Sequence, residues 1–253
     1  MKRFALLIVM ALSLVGVMAR EALPCRPLKT EDCGTTPQGR FEMEMSIESD
    51  KYKCNDRELN YGGVINYGLT EKWDIGWEIP INYLKPVIGR CEKGLGDVLL
   101  RSKYLVISET DSCPAFLVKP TFKIPSGDDK KELGSGKSDA GILFALTKSF
   151  GSLAVGFNAG YTMVDLPKKK KWDSNVGFFG LGFLQPLSQT FTLAGEITFE
   201  PVFGGKSTDN SSDACAGLIY NLSDKIVLDF SFRYGLSDAS PHHAFGSGVS
   251  INF

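Results

Sequence analysis

Residues 73–83 read Trp-Asp-Ile-Gly-Trp-Glu-Ile-Pro-Ile-Asn-Tyr, with an apolar or aromatic side chain at every odd position and Asp, Gly, Glu, Pro or Asn at every even one. A helix repeats its apolar positions every three to four residues. This strict period of two instead puts Trp73, Ile75, Trp77, Ile79, Ile81 and Tyr83 on one face of a strand. The same alternation recurs along the chain. Phe41, Met43, Met45 and Ile47 interleave with Glu42, Glu44, Ser46 and Glu48; Leu153 to Met163, Phe191 to Phe199, Ile226 to Leu236 and Phe245 to Phe253 repeat it.

Marking each such run predicts about twelve strands: 38–49, 59–69, 73–83, 95–107, 115–125, 138–148, 152–164, 174–185, 190–201, 212–221, 225–236 and 242–253. The pattern is weakest at 174–185, where Gly180 and Gly182 oppose Phe179, Leu181 and Phe183. Several runs exceed the usual length of strands in soluble sheets and suit a tilted crossing of a bilayer. The connections alternate in length. Short turns fall at Thr70–Lys72, Ser149–Gly151, Pro186–Gln189 and Asn221–Asp224, with a longer one at Glu109–Pro114; polar loops fall at 50–58, 84–94, 126–137, 165–173, 202–211 and 237–241. Short turns at one end and long loops at the other are the pattern of a bacterial outer-membrane barrel. The fold class expected is therefore all-β: an antiparallel transmembrane β-barrel of about twelve strands over residues 38–253.

Composition agrees. The chain has 253 residues, 43% hydrophobic and 23% charged, with 27 glycines and a formal net charge of −1. Its mean hydropathy of −0.04 is that of neither a helical membrane bundle nor a disordered chain. The near-neutral charge argues against nucleic acid as partner, since phosphate binding needs concentrated basic residues. Residues 1–19 read as a signal peptide: Lys2 and Arg3, an apolar run from Phe4 to Met18 too short to span a bilayer, and Ala19 at a cleavage position. Residues 20–37 then form an N-terminal segment, read either as a plug or as a periplasmic extension.

A soluble sandwich or barrel would alternate too, but with its apolar side chains inside. Aromatic positions help decide. Trp73, Phe150, Phe191 and Phe253 fall near the short-turn ends, while Tyr61, Tyr83, Tyr161, Phe199 and Tyr234 fall towards the other end, approximating two interfacial girdles. In that arrangement the face opposite the apolar set looks into the lumen. It carries Glu42, Glu44, Glu48, Asp74, Glu78, Arg101, Lys103, Lys119, Lys123, Glu196, Asp229 and Arg233. An acidic wall on strands 1 and 3 beside a basic wall on strands 4 and 5 would either set a transverse field for a permeating solute or close into a structural ion-pair network.

Three segments together resemble the outer-membrane transporter-like family associated with the meta-pathway of phenol degradation. They are Gly94-Leu-Gly-Asp97 opening a strand; Lys123-Ile-Pro-Ser-Gly-Asp128 with Leu133-Gly-Ser-Gly136 and Ser138-Asp139; and Pro241 to Phe253. The resemblance covers roughly residues 60–253 and implies an outer-membrane channel with no catalytic residues and no cofactor. The closing amphipathic strand ending on Phe253 is similar to the signal read by the outer-membrane assembly machinery. Lipids and lipopolysaccharide are the other partners that this location implies.

Other features carry less. All six cysteines (25, 33, 54, 91, 113 and 215) lie beyond the signal peptide, where disulfides persist. Cys54 and Cys91, in successive outer loops, are the best expected pair; Cys25 and Cys33 would close a small N-terminal loop; Cys113 with Cys215 is geometrically poor. No Cys/His cluster has the spacing of a metal site. His242 and His243 open the last strand and should point to opposite faces, which forbids joint chelation of a metal. Lys168–Lys171 reads as a solvated loop tip or a lipopolysaccharide contact. Gly94, Gly96, Gly134 and Gly136 precede no helix and make no phosphate loop. A membrane lipase would need a nucleophile beside a base, and Ser231 with His243 on opposite faces does not supply one. The functional expectation is a barrel for passive uptake of small solutes, aromatic or hydrophobic compounds among them, and not an enzyme. The competing expectation is a closed structural barrel with a lumen filled by ion pairs.

Overall fold

The computed structural model describes residues 26–52, 56–85, 90–166 and 175–253. Residues 1–19, expected to be a signal peptide, and Cys25, Cys54 and Lys168–Lys171 lie outside these residues. The described chain forms one sheet with strands β1 (Phe41–Lys51), β2 (Arg57–Thr70), β3 (Trp73–Lys85), β4 (Glu92–Leu95), β5 (Val98–Ile107), β6 (Ala115–Ile124), β7 (Ser138–Phe150), β8 (Leu153–Leu166), β9 (Asn175–Pro186), β10 (Phe191–Glu200), β11 (Val202–Phe203), β12 (Ser211–Asn221), β13 (Ile226–Gly235) and β14 (His243–Asn252).

Each strand pairs antiparallel with its neighbour, and the last closes on the first: β14 runs against β1 from Glu42 opposite Asn252 to Lys51 opposite His243. β4 and β5 both pair with β3, and β10 and β11 both pair with β9, so the fourteen segments form a closed twelve-strand barrel. Closure is what lipid demands, because an open edge would leave backbone N–H and C=O groups with no partner in hydrocarbon. The fourth expected strand is interrupted, and the ninth resumes as β11 in what was expected to be loop 202–211. The fourth breaks at Gly96 and Asp97, where Gly96 N donates to Pro80 O at 2.8 Å. The ninth breaks at Pro201, which has no N–H to give to a ladder; its carbonyl instead accepts from Gly177 N at 2.8 Å. At the tight turn after β7, Gly151 has φ +61°, the left-handed conformation that a residue with a Cβ seldom adopts.

Alternation fixes which side chains meet lipid. Met45, Ile65, Trp77, Phe122, Phe144, Phe157, Leu181, Ile197 and Phe230 all point out and are exposed. In water, so continuous an apolar belt would drive association; in a bilayer it is the lipid contact. The barrel is an outer-membrane barrel of this kind, with β1 beginning and β14 ending at the short-turn, periplasmic end.

Candidate functional site in the barrel lumen

The first described residues lie inside the barrel. The segment enters at the periplasmic end, where Gly39 N donates to Gly68 O at 2.8 Å and Thr35 Oγ1 donates to Glu71 O at 3.0 Å. Thr36 N is held by Asp74 Oδ2 at 2.9 Å, and Cys33 Sγ donates to Ala145 O at 3.4 Å. Nearer mid-height, Glu31 N donates to Asn158 Oδ1 at 2.6 Å while Asn158 Nδ2 returns a bond to Glu31 O at 2.9 Å. The two oxygens of Glu196 receive the Lys29 and Thr30 amides at 2.9 and 2.8 Å. Arg26 Nε meets Asp229 Oδ2 at 3.4 Å. Lumen wall residues therefore satisfy backbone groups of a segment that has no secondary structure of its own to do so, as burial of such groups requires.

Small wall residues make the close approach feasible. A Cβ on Gly180 would lie 2.4 Å from Thr30 Cγ2, and one on Gly182 2.5 Å from Thr30 Oγ1. These two glycines are what weakened the strand pattern at 174–185; they form the seat of Thr30.

All twelve charges assigned to the lumen stand on the inward face of their strands. They do not act as two separated walls. Arg101 lies 3.7 Å from both Glu44 and Glu78 and donates to Asn66 Oδ1 at 3.1 Å, and Asn66 in turn donates to Glu42 at 3.0 Å. Lys123 pairs with Asp97 at 3.3 Å and Asp139 at 2.6 Å. Arg233 and Glu196, both buried, meet at 3.0 Å. Asp229 pairs with Arg26, Asp74 accepts from Thr36 N, and Glu48 lies further out on β1. Lys103 and Lys119 find their counter-charge in the segment: Glu31 binds Lys103 at 2.9 Å and contacts Lys119 as well. Burial opposes the charge on Glu31, but Lys103, Lys119 and Arg101 outweigh it and hold the carboxyl well below the ordinary carboxylate range. Burial likewise opposes the charge on Lys29, and Glu200 and Asp213, each 2.8 Å from its Nζ, raise its pKa nonetheless.

Several of these partners escaped a search of the sequence for charges. Asn158, Asn66 and Asp213 occupy inward positions of strands whose pattern was already legible, so their facing was readable. Their roles were not, because those depend on where the segment lies.

The segment divides the remaining lumen. On its outer side is a cavity of about 240 Å³ lined by Lys29, Glu31, Lys119, Thr121, Thr162 and Glu200 among others. On its periplasmic side is one of about 300 Å³ with a largely apolar lining. Glu31 borders both.

Two of the three segments that carried the family resemblance converge on one carboxylate. Asp97 accepts from Gly127 N at 3.0 Å, from Ser135 N at 2.9 Å and from Lys123. It thereby folds loop 125–137 over the outer end, with Leu133 buried. A Cβ on Gly134 would lie 2.3 Å from Asp97 Oδ1, so this position needs glycine.

Two expectations need correction. Neither disulfide is formed: Cys33 and Cys91 are free, as are Cys113 and Cys215, while Cys25 and Cys54 lie outside the described residues. Cys33 is instead held against Ala145 in the lumen wall. The histidines do not diverge either, since His242 precedes β14 and escapes its alternation; the two Nδ1 atoms lie 2.9 Å apart. Among the described residues no group of three His, Cys, Asp or Glu side chains is placed to hold a metal.

The fold is shared with solved outer-membrane proteins. The COG4313 outer membrane channel from Pseudomonas putida F1 superposes with a TM-score of 0.70 at 12% identity, over 89% of this chain and 100% of that one. The NanC porin gives 0.57 at 14%, over 83% and 98%. The KdgM porin in complex with disordered oligogalacturonate gives 0.54 at 9%, over 85% and 99%. No curated protein matches the sequence. Residues 89–253 match the family described as "Putative MetA-pathway of phenol degradation", and with that match covering well over half of its length the chain belongs to this family.

Proposed function

We propose that the protein is an outer-membrane channel for passive uptake of small solutes, aromatic or otherwise hydrophobic compounds among them, with residues 26–37 as a plug. The observation that carries this reading is the pair of cavities meeting at Glu31. Moving one short segment, anchored mainly by hydrogen bonds and ion pairs, would join them into a path through the barrel. Diffusion along such a path needs neither nucleotide nor cofactor. Ser231 and His243 do not form a catalytic pair: Ser231 lies opposite Gly246, whereas His243 lies opposite Tyr234, further along the strand. The family and the shared fold support a channel without naming its solute.

Outer-membrane lipid surrounds the apolar belt, and lipopolysaccharide is the partner for the outer loops. The last strand, β14, with Phe253 just beyond it donating from its backbone N to Phe41 O at 2.9 Å, serves as the signal to the assembly machinery.

A second reading is favoured by the seating itself. If the plug never leaves, the barrel is a closed structural or surface-interaction protein. Planar-bilayer conductance and liposome flux separate the two. A channel gives discrete openings that lengthen or grow in Glu31→Ala, whose plug has lost its central ion pairs. Stable insertion with no permeability in either protein would leave the closed barrel.

A further inference from the structure

The outward face of the barrel carries a charge pattern of its own at the long-loop end. Lys51 on β1 lies opposite His243 of β14 on one side and Arg57 of β2 on the other, and Arg57 lies opposite Lys85 of β3. Residues directly opposite in an antiparallel pair share a face, and these four continue the outward positions that hold Ile47, Tyr61, Ile81 and Phe245. Four neighbouring strands thus end in one row of basic side chains, about 14 Å from end to end at the usual strand spacing. One step nearer the bilayer, Lys93 of β4 lies opposite Tyr83. The carboxylates of the same strand ends, Asp50, Glu58 and Glu92, fall at the alternate, lumen-facing positions. Among the described residues no carboxylate forms an ion pair with Lys51, Arg57 or Lys85. Like charges set opposite one another repel, so an anion shared along the row would stabilise it. Beneath the row, on the same face, is a groove of about 370 Å³ walled by Ile47, Leu59, Phe230 and Phe245, with the small Ser49 and Ser247 leaving the space between them. Ser49 is two residues from Lys51 along β1 and Phe245 two from His243 along β14, so the groove begins about 7 Å below the cations.

We propose that this row and the groove beneath it form a binding site for one lipopolysaccharide molecule, with the phosphates of its lipid A disaccharide on Lys51, Arg57 and Lys85 and one of its acyl chains in the groove. The inference makes specific the lipopolysaccharide partnership proposed above, and it rests on the outer-membrane location, not on an open lumen. The charge pattern selects the headgroup. A glycerophospholipid offers one phosphate, which one or two of these side chains would satisfy. A disaccharide with a phosphate at either end can neutralise cations spread over neighbouring strands. Arg57 can hold phosphate oxygens in a bidentate fork, while the lysines act as point charges on flexible stems. At the headgroup level such long side chains keep their charges in the polar layer and lay their methylenes along the barrel. The groove sets position more than affinity, because some acyl chain fills it in any bilayer and lipid tails are as apolar as its walls. A chain seated there places the headgroup it hangs from over the row.

The test titrates the full barrel in mild detergent with bisphosphorylated lipid A, monophosphorylated lipid A and phosphatidylglycerol, and counts bound lipid by native mass spectrometry. The expected result is that bisphosphorylated lipid A binds about tenfold or more tighter than phosphatidylglycerol, with the monophosphorylated form between them. The triple variant Lys51→Gln, Arg57→Gln, Lys85→Gln should lose about tenfold or more of the lipid A affinity. Lys72→Gln with Lys225→Gln removes charge from two periplasmic turns, more than a screening length away, and should change it less than about twofold. Ser247→Trp fills the groove without altering the cations and should weaken lipid A binding while keeping the preference for two phosphates. Heat-modifiable gel mobility reports that each variant is a folded barrel. Equal affinity for phosphatidylglycerol, or unchanged lipid A binding in the folded triple variant, would overturn the site; unchanged binding in Ser247→Trp would overturn the acyl seat. No lipid A binding by the wild type removes the lipopolysaccharide partnership as well, whereas binding that survives the triple variant removes this site and leaves the outer loops as the contact.

Discussion

Lys103 on β5 and Glu31 in the N-terminal segment meet at 2.9 Å inside the barrel, so the wall's basic residue and the segment's acidic one neutralise each other. Lys103 also donates from Nζ to Gly34 O at 3.3 Å and from its backbone N to Asp74 Oδ1 at 3.2 Å, while Glu44 and Glu78 are engaged by Arg101. Removing Glu31 leaves both Lys103 and Lys119 without this counter-charge. Breaking a buried pair from one side costs on the order of 3–5 kcal/mol. Glu31→Ala is therefore expected to release the segment while the barrel persists. Limited trypsin cleavage after Lys29 should rise sharply, and Lys119→Gln should do less because Lys103 remains. Equal protection of Lys29 in wild type and Glu31→Ala would show that the ion pairs do not hold the plug.

The same pairing sets a pH window. Glu31 has its carboxyl held well below the ordinary value of 4.5, against the opposing effect of burial. A depressed carboxyl contributes its full stabilisation above the value it has when undocked and loses it only as pH falls through the docked value. Plug protection should thus stay flat from about pH 8 down to about pH 5 and decline only in stronger acid. Cleavage with an acid-tolerant protease such as pepsin reads the acidic limb; a transition near neutral pH would contradict the assignment.

Asp97 ties loop 125–137 to the barrel through two backbone amides and Lys123. Asp97→Ala deletes these contacts and that from Ser135 Oγ at 3.4 Å, at about 1–3 kcal/mol for each buried donor left unsatisfied. Trypsin should then cut after Lys130, Lys131 or Lys137 at least tenfold faster than in wild type, with barrel mobility on gels unchanged. An unaltered cleavage rate would mean that Leu133 alone seats the loop.

Burial raises the Cys33 thiol to about 11. At pH 8 only about one molecule in a thousand would then carry the reactive thiolate. Peptide-mapped alkylation at pH 8 should find exposed Cys91 labelled at least a hundredfold faster than Cys33. Glu31→Ala should narrow that gap by letting the segment leave the wall. Comparable labelling of both cysteines in the wild type would place Cys33 outside the lumen.

Period-two alternation was enough to read the barrel: twelve strands, their facing and the alternation of turn and loop lengths were all legible, because lipid and lumen impose opposite demands on neighbouring residues. What a strand pattern cannot express is an irregular segment. Arg26, Lys29 and Glu31 fall in a stretch with no periodicity, so neither their depth nor their partners followed from order along the chain. The disulfide expectation failed for that reason: it placed Cys33 in a local loop, whereas a wall carbonyl on β7 holds it inside the barrel. The sequence by itself determined the barrel and the sign of each inward charge, since both are local consequences of side-chain alternation. Only the tertiary structure decided that the N-terminal segment lies in the lumen, that Glu31 pairs with Lys103 and Lys119 there and that a cavity remains on either side of it. Those depend on contacts between residues far apart in the chain, formed only once the wall has closed around the segment.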